Sequence, residues 1–229
     1  MLSGKKQKKA EENKSKILIV DDHPVVREGL TTIINHEKDL IVCGYAEDDH
    51  LALKAINELK PDVIIVDISL KDSDGIDLTK NIKHRYPKLP VIVLSIHDES
   101  VYAERALRAG ARAYLMKEVL SENITNTVRT VLKGEIYVSD TISKKFLHKI
   151  AGDKAATTKT PIENLSDREF EIFRLIGVGY KASQIAKRLH LSVKTVETYR
   201  ARLKEKLNLA DANELLQYSI KWAKSQDRE

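Results

Sequence analysis

The chain has 229 residues, 42% hydrophobic, 32% charged and 5% aromatic; it is long enough for two domains of ordinary size and too rich in apolar residues for a disordered or fibrous protein. Its one cysteine, Cys43, excludes an internal disulfide framework, and no stretch approaches the about 18 consecutive apolar residues of a membrane span, so a cytoplasmic protein without a membrane partner is expected. The net charge of +5 is uneven: residues 17–150 carry 18 basic and 21 acidic residues, whereas 1–16 carry 6 and 2 and 163–229 carry 13 and 10, so an anion-binding module is sought at an end rather than in the body.

Residues 1–15, nearly devoid of apolar side chains and rich in lysine, predict a disordered basic tail that attracts DNA weakly at most. From 16 to 135, short apolar runs alternate with helix-length segments. The runs are Lys16 to Val20, Leu40 to Cys43, Val63 to Val66, Val91 to Leu94 and Ala111 to Leu115; Cys43 lies in the second and reads as a core thiol. The segments between and after them, Val25 to Asn35, His50 to Leu59, Ile76 to His84, Val101 to Ala109 and Val119 to Leu132, have helical periodicity. Five strands alternating with five helices predict a doubly wound α/β domain of the flavodoxin-like kind, its five-stranded parallel sheet covered on both faces. Pro61, Pro90 and Gly110 punctuate the approaches to the third, fourth and fifth strands.

The alternation stops in 136–162, which reads as a linker in which Thr141 to Ile150 can form a short helix. Four helical segments follow in 163–229: Asp167 to Gly177, Ser183 to His190, Val193 to Leu207 and Ala212 to Lys224. Ser166 followed by Glu169 has the spacing of a capping box. Val193 to Leu207 has inward positions at Val196, Leu203 and Leu207 and is otherwise exposed and basic, with seven basic and two acidic residues between Lys187 and Lys206. Two short helices joined by a tight turn, the second cationic, predict a small all-α four-helix domain of helix-turn-helix type. Charge alone would favour an ordinary solvated helix.

Functional residues of an open α/β sheet gather beyond the carboxyl ends of its strands. Here those ends carry Asp21 and Asp22, Asp67, Ser95, and Lys117 after Tyr114. One such aspartate is usually a solvated loop acid. Three converging carboxylates repel unless a cation joins them, and partly open oxygen ligands suit Mg²⁺, which keeps waters and accepts phosphate oxygens. A carboxylate in that setting can take a phosphoryl group while a lysine and a hydroxyl hold its oxygens.

With Ile19-Val20-Asp21-Asp22-His23-Pro24, Asp62 to Asp67, Asp74-Gly75, Val93-Leu94-Ser95 and Gly110 to Lys117, residues 16–135 resemble the receiver domain of two-component response regulators. The resemblance implies that Asp67 accepts phosphate from a sensor histidine kinase; that Asp21, Asp22, Asp67 and the Ser69 carbonyl hold Mg²⁺; that Lys117 and Ser95 contact the phosphoryl group; and that Ser95 and Tyr114 form the switch. Lys71 stands where the family usually has proline, and Glu118 follows Lys117. An aspartyl-phosphate phosphohydrolase is the competing enzyme reading, but the second acid it needs two residues on is Ser69; only slow self-dephosphorylation is expected.

Leu191 to Tyr199, together with Leu165 to Glu169 and Ile185-Ala186, resembles the LuxR-type reader of NarL/FixJ regulators. That implies that Lys194, Glu197, Thr198 and Ala201 face the groove, that Arg200, Arg202 and Lys204 contact phosphates, that Thr195 also belongs to the DNA-binding set, and that a dimer binds a two-fold site in double-stranded DNA. Ala182 and Gln184 replace the asparagine and glutamate frequent in this reader, and Tyr199 stands where histidine is frequent. Leu215, Tyr218 and Trp222 are candidate dimer contacts, Trp222 reading equally well as core. A transcription factor controlled by phosphorylation at Asp67 is expected, homodimeric when phosphorylated. The alternative is a DNA-binding regulator with a vestigial receiver.

Overall fold

The computed structural model describes residues 14–70, 73–96, 99–151, 161–189 and 191–226. The tail at 1–13, Lys71 and residues 152–160 of the expected linker lie outside the described residues. The chain divides into two compact units between Ser143 and Lys144.

In the first unit, β1 (Ser15–Val20), β2 (Leu40–Ala46), β3 (Val63–Asp67), β4 (Val91–Ser95) and β5 (Ala113–Met116) alternate with α1 (Pro24–Asn35), α2 (Asp49–Leu59), α3 (Gly75–Arg85), α4 (Glu99–Arg108) and α5 (Leu120–Leu132). All strand pairs are parallel, in the order β2-β1-β3-β4-β5. That order follows from the sequence: apolar runs with no polar alternation must be covered on both faces, and each crossover helix supplies part of the cover. Ile17, Ile19, Ile65, Ile92 and Leu94 pack with Leu30 and Ile34 of α1 and Ile124, Val128 and Val131 of α5. Ala52, Ile56, Leu78, Ile82, Tyr102 and Ala103 of α2 to α4 are likewise buried.

All five helices start one or two residues from the hydropathy reading, and side-chain caps set two of these starts. Asp48 accepts from the Leu51 amide at the start of α2, and Asp74 from the Ile76 amide at the start of α3. Strand β2 runs three residues past its apolar run, through Gly44 and Tyr45, because hydrogen bonding to β1 continues across a bulge: Ile17 pairs with Val42 and Leu18 with Gly44. Cys43 is the bulged residue and is half-buried, not the fully buried thiol that its run suggested. The expected linker helix is α6 (Asp140–Ile150), within which the division into units falls.

In the second unit a 3₁₀ turn (Pro161–Asn164) precedes α7 (Asp167–Gly177), α8 (Ala182–Arg188), α9 (Val193–Leu207) and α10 (Ala212–Gln226). The capping box forms: the Ser166 amide donates to Glu169 Oε2 at 2.8 Å, and the Glu169 amide to Ser166 Oγ at 3.4 Å. Gly179, at φ +99°, supplies the left-handed turn between α7 and α8. Phe170, Phe173, Ile185, Val196, Leu203 and Leu207 form the core. The contact between α7 and α10 needs a residue without a side chain, since a Cβ on Gly177 would lie 2.5 Å from the Ser219 carbonyl oxygen.

Candidate functional site

The sheet order places β1 beside β3, so the chain reverses its direction of winding there and a crevice opens beyond their carboxyl ends. Asp21 follows β1 and Asp67 ends β3; they are 1% and 2% exposed. Lys117, immediately after β5, reaches both: its Nζ donates to Asp21 Oδ2 at 2.7 Å and lies 3.0 Å from Asp67 Oδ2. Ser95, the last residue of β4, and Tyr114 on β5 are both buried. Ser69 lies in the β3–α3 loop, bridged to Asp74. Gly75 packs so closely that a Cβ there would collide with the Asp67 carbonyl and lie 2.8 Å from Ile68 Cα, so this glycine sets how tightly the loop folds behind Asp67.

Burial pushes the Asp67 carboxyl above its ordinary value, the Lys117 ammonium opposes this, and the neighbouring Asp21 carboxylate adds to it. For Lys117, burial favours the neutral amine, but Asp67 and Asp21 together outweigh it and the ammonium is held more firmly than usual. One ammonium thus meets two of three grouped carboxylates; among the described residues the buried Asp67 Oδ2 has that ammonium 3.0 Å away and Asp22 Oδ1 the His23 ring 3.0 Å away, neither in a well-aligned hydrogen bond. Ligand atoms of Asp21, Asp22, His23 and Asp67 all lie within 4.8 Å of one another. Surplus negative charge, unsatisfied oxygens and a mainly carboxylate donor set fit a hard divalent cation.

Two residues near the acids were not singled out by sequence reasoning. His23 Nδ1 lies 3.1 Å from Asp21 Oδ1 and 3.0 Å from Asp22 Oδ1, and the His23 amide donates to Asp21 Oδ1 at 2.8 Å. Arg27, in α1, donates from Nη1 to the Asp21 carbonyl at 2.7 Å and from Nη2 to Glu47 Oε1 at 3.0 Å. The available signal was positional: a basic residue one turn into the helix that follows the acidic pair can fold back on the loop.

The second unit presents its basic helix as expected. Ser192 caps α9 by accepting from the Thr195 amide at 3.0 Å, and its hydroxyl is 2.8 Å from Thr195 Oγ1. Lys194, Glu197, Thr198, Ala201 and Arg202 are exposed, whereas Thr195, Arg200 and Lys204 are half-buried. Glu197 and Arg200 pair at 2.9 Å, so the two residues expected to contact bases and phosphate separately hold each other in the unbound chain. Arg202 lies over the Tyr199 ring, 5.8 Å from its centroid. The helix is held from below, where Lys206 donates to the buried Glu169 carboxylate at 2.7 Å, while Arg168 of α7 ties to the end of α8 by donating to the Leu189 carbonyl at 2.9 Å. Burial raises the Glu169 pKa, but Lys206 and Ser166 outweigh it and the carboxyl stays below its usual range. The α8 cap is a partial substitute for the usual one: Lys181 contributes no side-chain cap, and Gln184 accepts from its amide at 2.8 Å.

Leu215 corrects the expected dimer contacts. It is 0% exposed, consumed by the core of its own domain, and presents nothing to a second copy. Trp222 packs edge-on against Phe170, with ring centroids 5.3 Å apart, and against Phe173 at 5.5 Å; Tyr218 also meets Phe173. Both aromatics thus contribute to the domain's own packing, though each keeps part of its surface exposed.

Residues 17–129 match the family described as "Response regulator receiver domain", and residues 163–219 match "Bacterial regulatory proteins, luxR family". The oxygen regulatory protein NreC of Staphylococcus haemolyticus is 37% identical over 210 residues, 90% of this chain and 97% of the relative. NreC of Staphylococcus aureus is 36% identical with the same coverage. A structure of RcsB from Salmonella enterica serovar Typhimurium, bound to promoter P1flhDC in the presence of phosphomimetic BeF3−, is 27% identical with a TM-score of 0.70, covering 90% of this chain and 98% of that one. A second RcsB structure, from Salmonella typhimurium, gives 27% and 0.71, covering 91% and 98%. Among the described residues, no helix is long and apolar enough to cross a membrane.

Proposed function

This chain belongs to the NarL/FixJ-type response regulators, which join a receiver domain to a LuxR-type DNA-binding domain and regulate transcription, and from that membership we propose that Asp67 is its phosphoryl acceptor and α9 its reading helix. The observation that carries the proposal is the grouping of buried Asp21 and Asp67 with Lys117 at the switch point of the sheet, with Asp22 beside it.

A carboxylate oxygen of Asp67 attacks phosphorus, the bond from phosphorus to the histidine nitrogen of a sensor kinase breaks, and an aspartyl phosphate remains. Asp21, Asp22 and Asp67, with the Ser69 carbonyl, would hold Mg²⁺, and such an ion would supply positive charge to the phosphoryl oxygens. Lys117 pairs with one such oxygen and Ser95 donates to another. The added charge of about −1.5 to −2 draws Ser95 towards the phosphate, and the buried Tyr114 beside it reports the change along β5.

The NreC relatives carry the words oxygen regulatory protein in their names, and the RcsB structure contains promoter DNA with a phosphomimetic. By analogy this chain binds double-stranded promoter DNA as a homodimer once phosphorylated. Lys194, Thr195, Glu197, Thr198 and Ala201 face the bases, while Arg200, Arg202 and Lys204 face phosphates; the Glu197–Arg200 pair must open for both to serve. Tyr218 and Trp222 remain available at the rim of a dimer contact.

Incubation of the full chain with acetyl phosphate and Mg²⁺, followed by intact-mass measurement, tests the acceptor. One phosphoryl adduct is expected, absent from Asp67→Asn and strongly reduced without Mg²⁺. A wild-type chain that gains no adduct would instead be a DNA-binding regulator with a vestigial receiver.

A further inference from the structure

We infer that Arg27 is a positioning residue for the cation site, acting as a clamp on the peptide that joins Asp21 to Asp22. The inference rests on the reading of the acidic pocket as a cation site. Arg27 lies in α1 with its side chain only 15% exposed, and its guanidinium makes two directed contacts: Nη1 to the Asp21 carbonyl at 2.7 Å, and Nη2 to Glu47 Oε1 at 3.0 Å. Glu47 immediately follows β2, whose last residue, Ala46, accepts from the Asp21 amide at 3.1 Å. The guanidinium therefore ties the loop after β1 to the loop after β2, directly above the point where those strands pair.

Planarity of the peptide gives the clamp its leverage. Fixing the Asp21 carbonyl oxygen fixes the plane through the Asp22 amide and Cα, and so fixes the starting points of both side chains relative to each other. The Asp21 carboxylate is further oriented by the His23 amide at 2.8 Å. Asp22 Oδ1 meets only the exposed His23 ring among the described residues, Nδ1 at 3.0 Å and shared with Asp21 Oδ1 at 3.1 Å, so the backbone that Arg27 holds is the more rigid constraint on its aim. A rigid fork suits this task because it serves two acceptors at a set angle, which an ammonium cannot do.

Geometry and charge predict opposite signs, which makes the inference testable. If the guanidinium acted only through its charge, its removal would tighten binding of a divalent cation by relieving repulsion. If it acts as a clamp, removal loosens the acid pair and weakens binding, as loss of an outer partner of a metal ligand does by about 10- to 100-fold. Calorimetric titration of the full chain with MgCl₂ separates the two, and its stoichiometry separates loss of folded protein from loss of affinity. Arg27→Ala is expected to weaken Mg²⁺ by about tenfold or more at unchanged stoichiometry, Arg27→Lys to recover part of that loss, and Glu47→Gln to lose less in the same direction. Unchanged or tighter binding by Arg27→Ala overturns the clamp. Should that variant fail to fold, wild-type affinity in both Arg27→Lys and Glu47→Gln overturns it instead. A wild-type chain that takes up no Mg²⁺ overturns the pocket reading and the clamp together, whereas wild-type uptake with unaffected variants overturns the clamp alone.

Discussion

The acidic pocket and the basic helix are built in opposite ways. The pocket's charged groups are buried, as Asp21 and Asp67 are, or largely so, as Lys117 and Asp22 are, and they come from points as far apart as Asp21 and Lys117, so its chemistry depends on strand order and loop packing. The candidate DNA contacts of α9 lie within Lys194 to Lys204, five of them exposed and three half-buried, and are supported from beneath by Val196, Leu203 and Lys206 of the same helix and by Glu169 of α7. A buried charged cluster tolerates almost no displacement, since its groups have no water to fall back on. An exposed row of cations is graded, because each member adds or subtracts nearly on its own.

The sharpest way to break that contrast is to disturb the pocket without touching its charge. Gly75→Ala adds one methyl group, yet its Cβ would collide with the Asp67 carbonyl and press on Ile68 Cα. Backbone atoms cannot rotate aside, so the β3–α3 loop must shift. The variant is expected to lose about 1–3 kcal/mol of stability, in the range for overpacking, and to lose most of its phosphoryl adduct at a temperature where it remains folded. Urea unfolding and intact mass check the two parts. Normal phosphorylation with normal stability would mean that the pocket is far less rigid than its packing implies.

How much could be read from the chain differs between the two regions for the same reason. The strands of the receiver were legible because runs such as Val63 to Val66 are apolar without interruption, and the acids were legible because polarity changes abruptly where each run ends. Continuation of β2 through Gly44 and Tyr45 was not, because it depends on hydrogen bonds to β1 and a bulge at Cys43 rather than on local hydropathy. Arg27 was missed because its role lies in the direction of a side chain, not in its spacing from an apolar face. In the reader, the inward positions of α9 follow from helical period, whereas the fate of Leu215 depends on which face of α10 meets α7, a tertiary choice that an amphipathic pattern leaves open.

On α9 the contrast predicts a division of labour rather than collapse. Lys194→Ala combined with Thr198→Ala removes two exposed groups proposed to read bases, and each is expected to cost about 1–3 kcal/mol on the specific site, with little change on random DNA. Arg202→Ala is expected to weaken specific and random DNA alike and to reduce the slope of log affinity against log salt by about one. Fluorescence anisotropy at several salt concentrations distinguishes them. Equal losses on both kinds of DNA from every variant would mean that α9 binds without reading.

The smallest effect comes from a second cluster of two acids and one cation in the receiver, this time at its surface. Arg129 meets Glu37 Oε2 at 2.6 Å and Asp39 Oδ1 at 2.8 Å, the same composition as Lys117 with Asp21 and Asp67, but Arg129 and Asp39 are 34% and 54% exposed. The Arg129 hydrogen bonds hold the Asp39 carboxyl down to about 2, below the ordinary 3.8. A folded-state value below the unfolded one means that the pair's contribution is fully present above pH 3.8 and is lost as pH falls towards 2. Water and salt screen it, so Asp39→Asn is expected to cost at most about 1 kcal/mol near neutral pH, less in high salt, with the gap to wild type closing as pH drops from about 4 towards 2. Urea unfolding of both proteins across that range measures the gap. A gap that stays open in acid would show that Asp39 stabilises the fold by something other than its charge, and the contrast between buried and exposed clusters would then have to rest on packing alone.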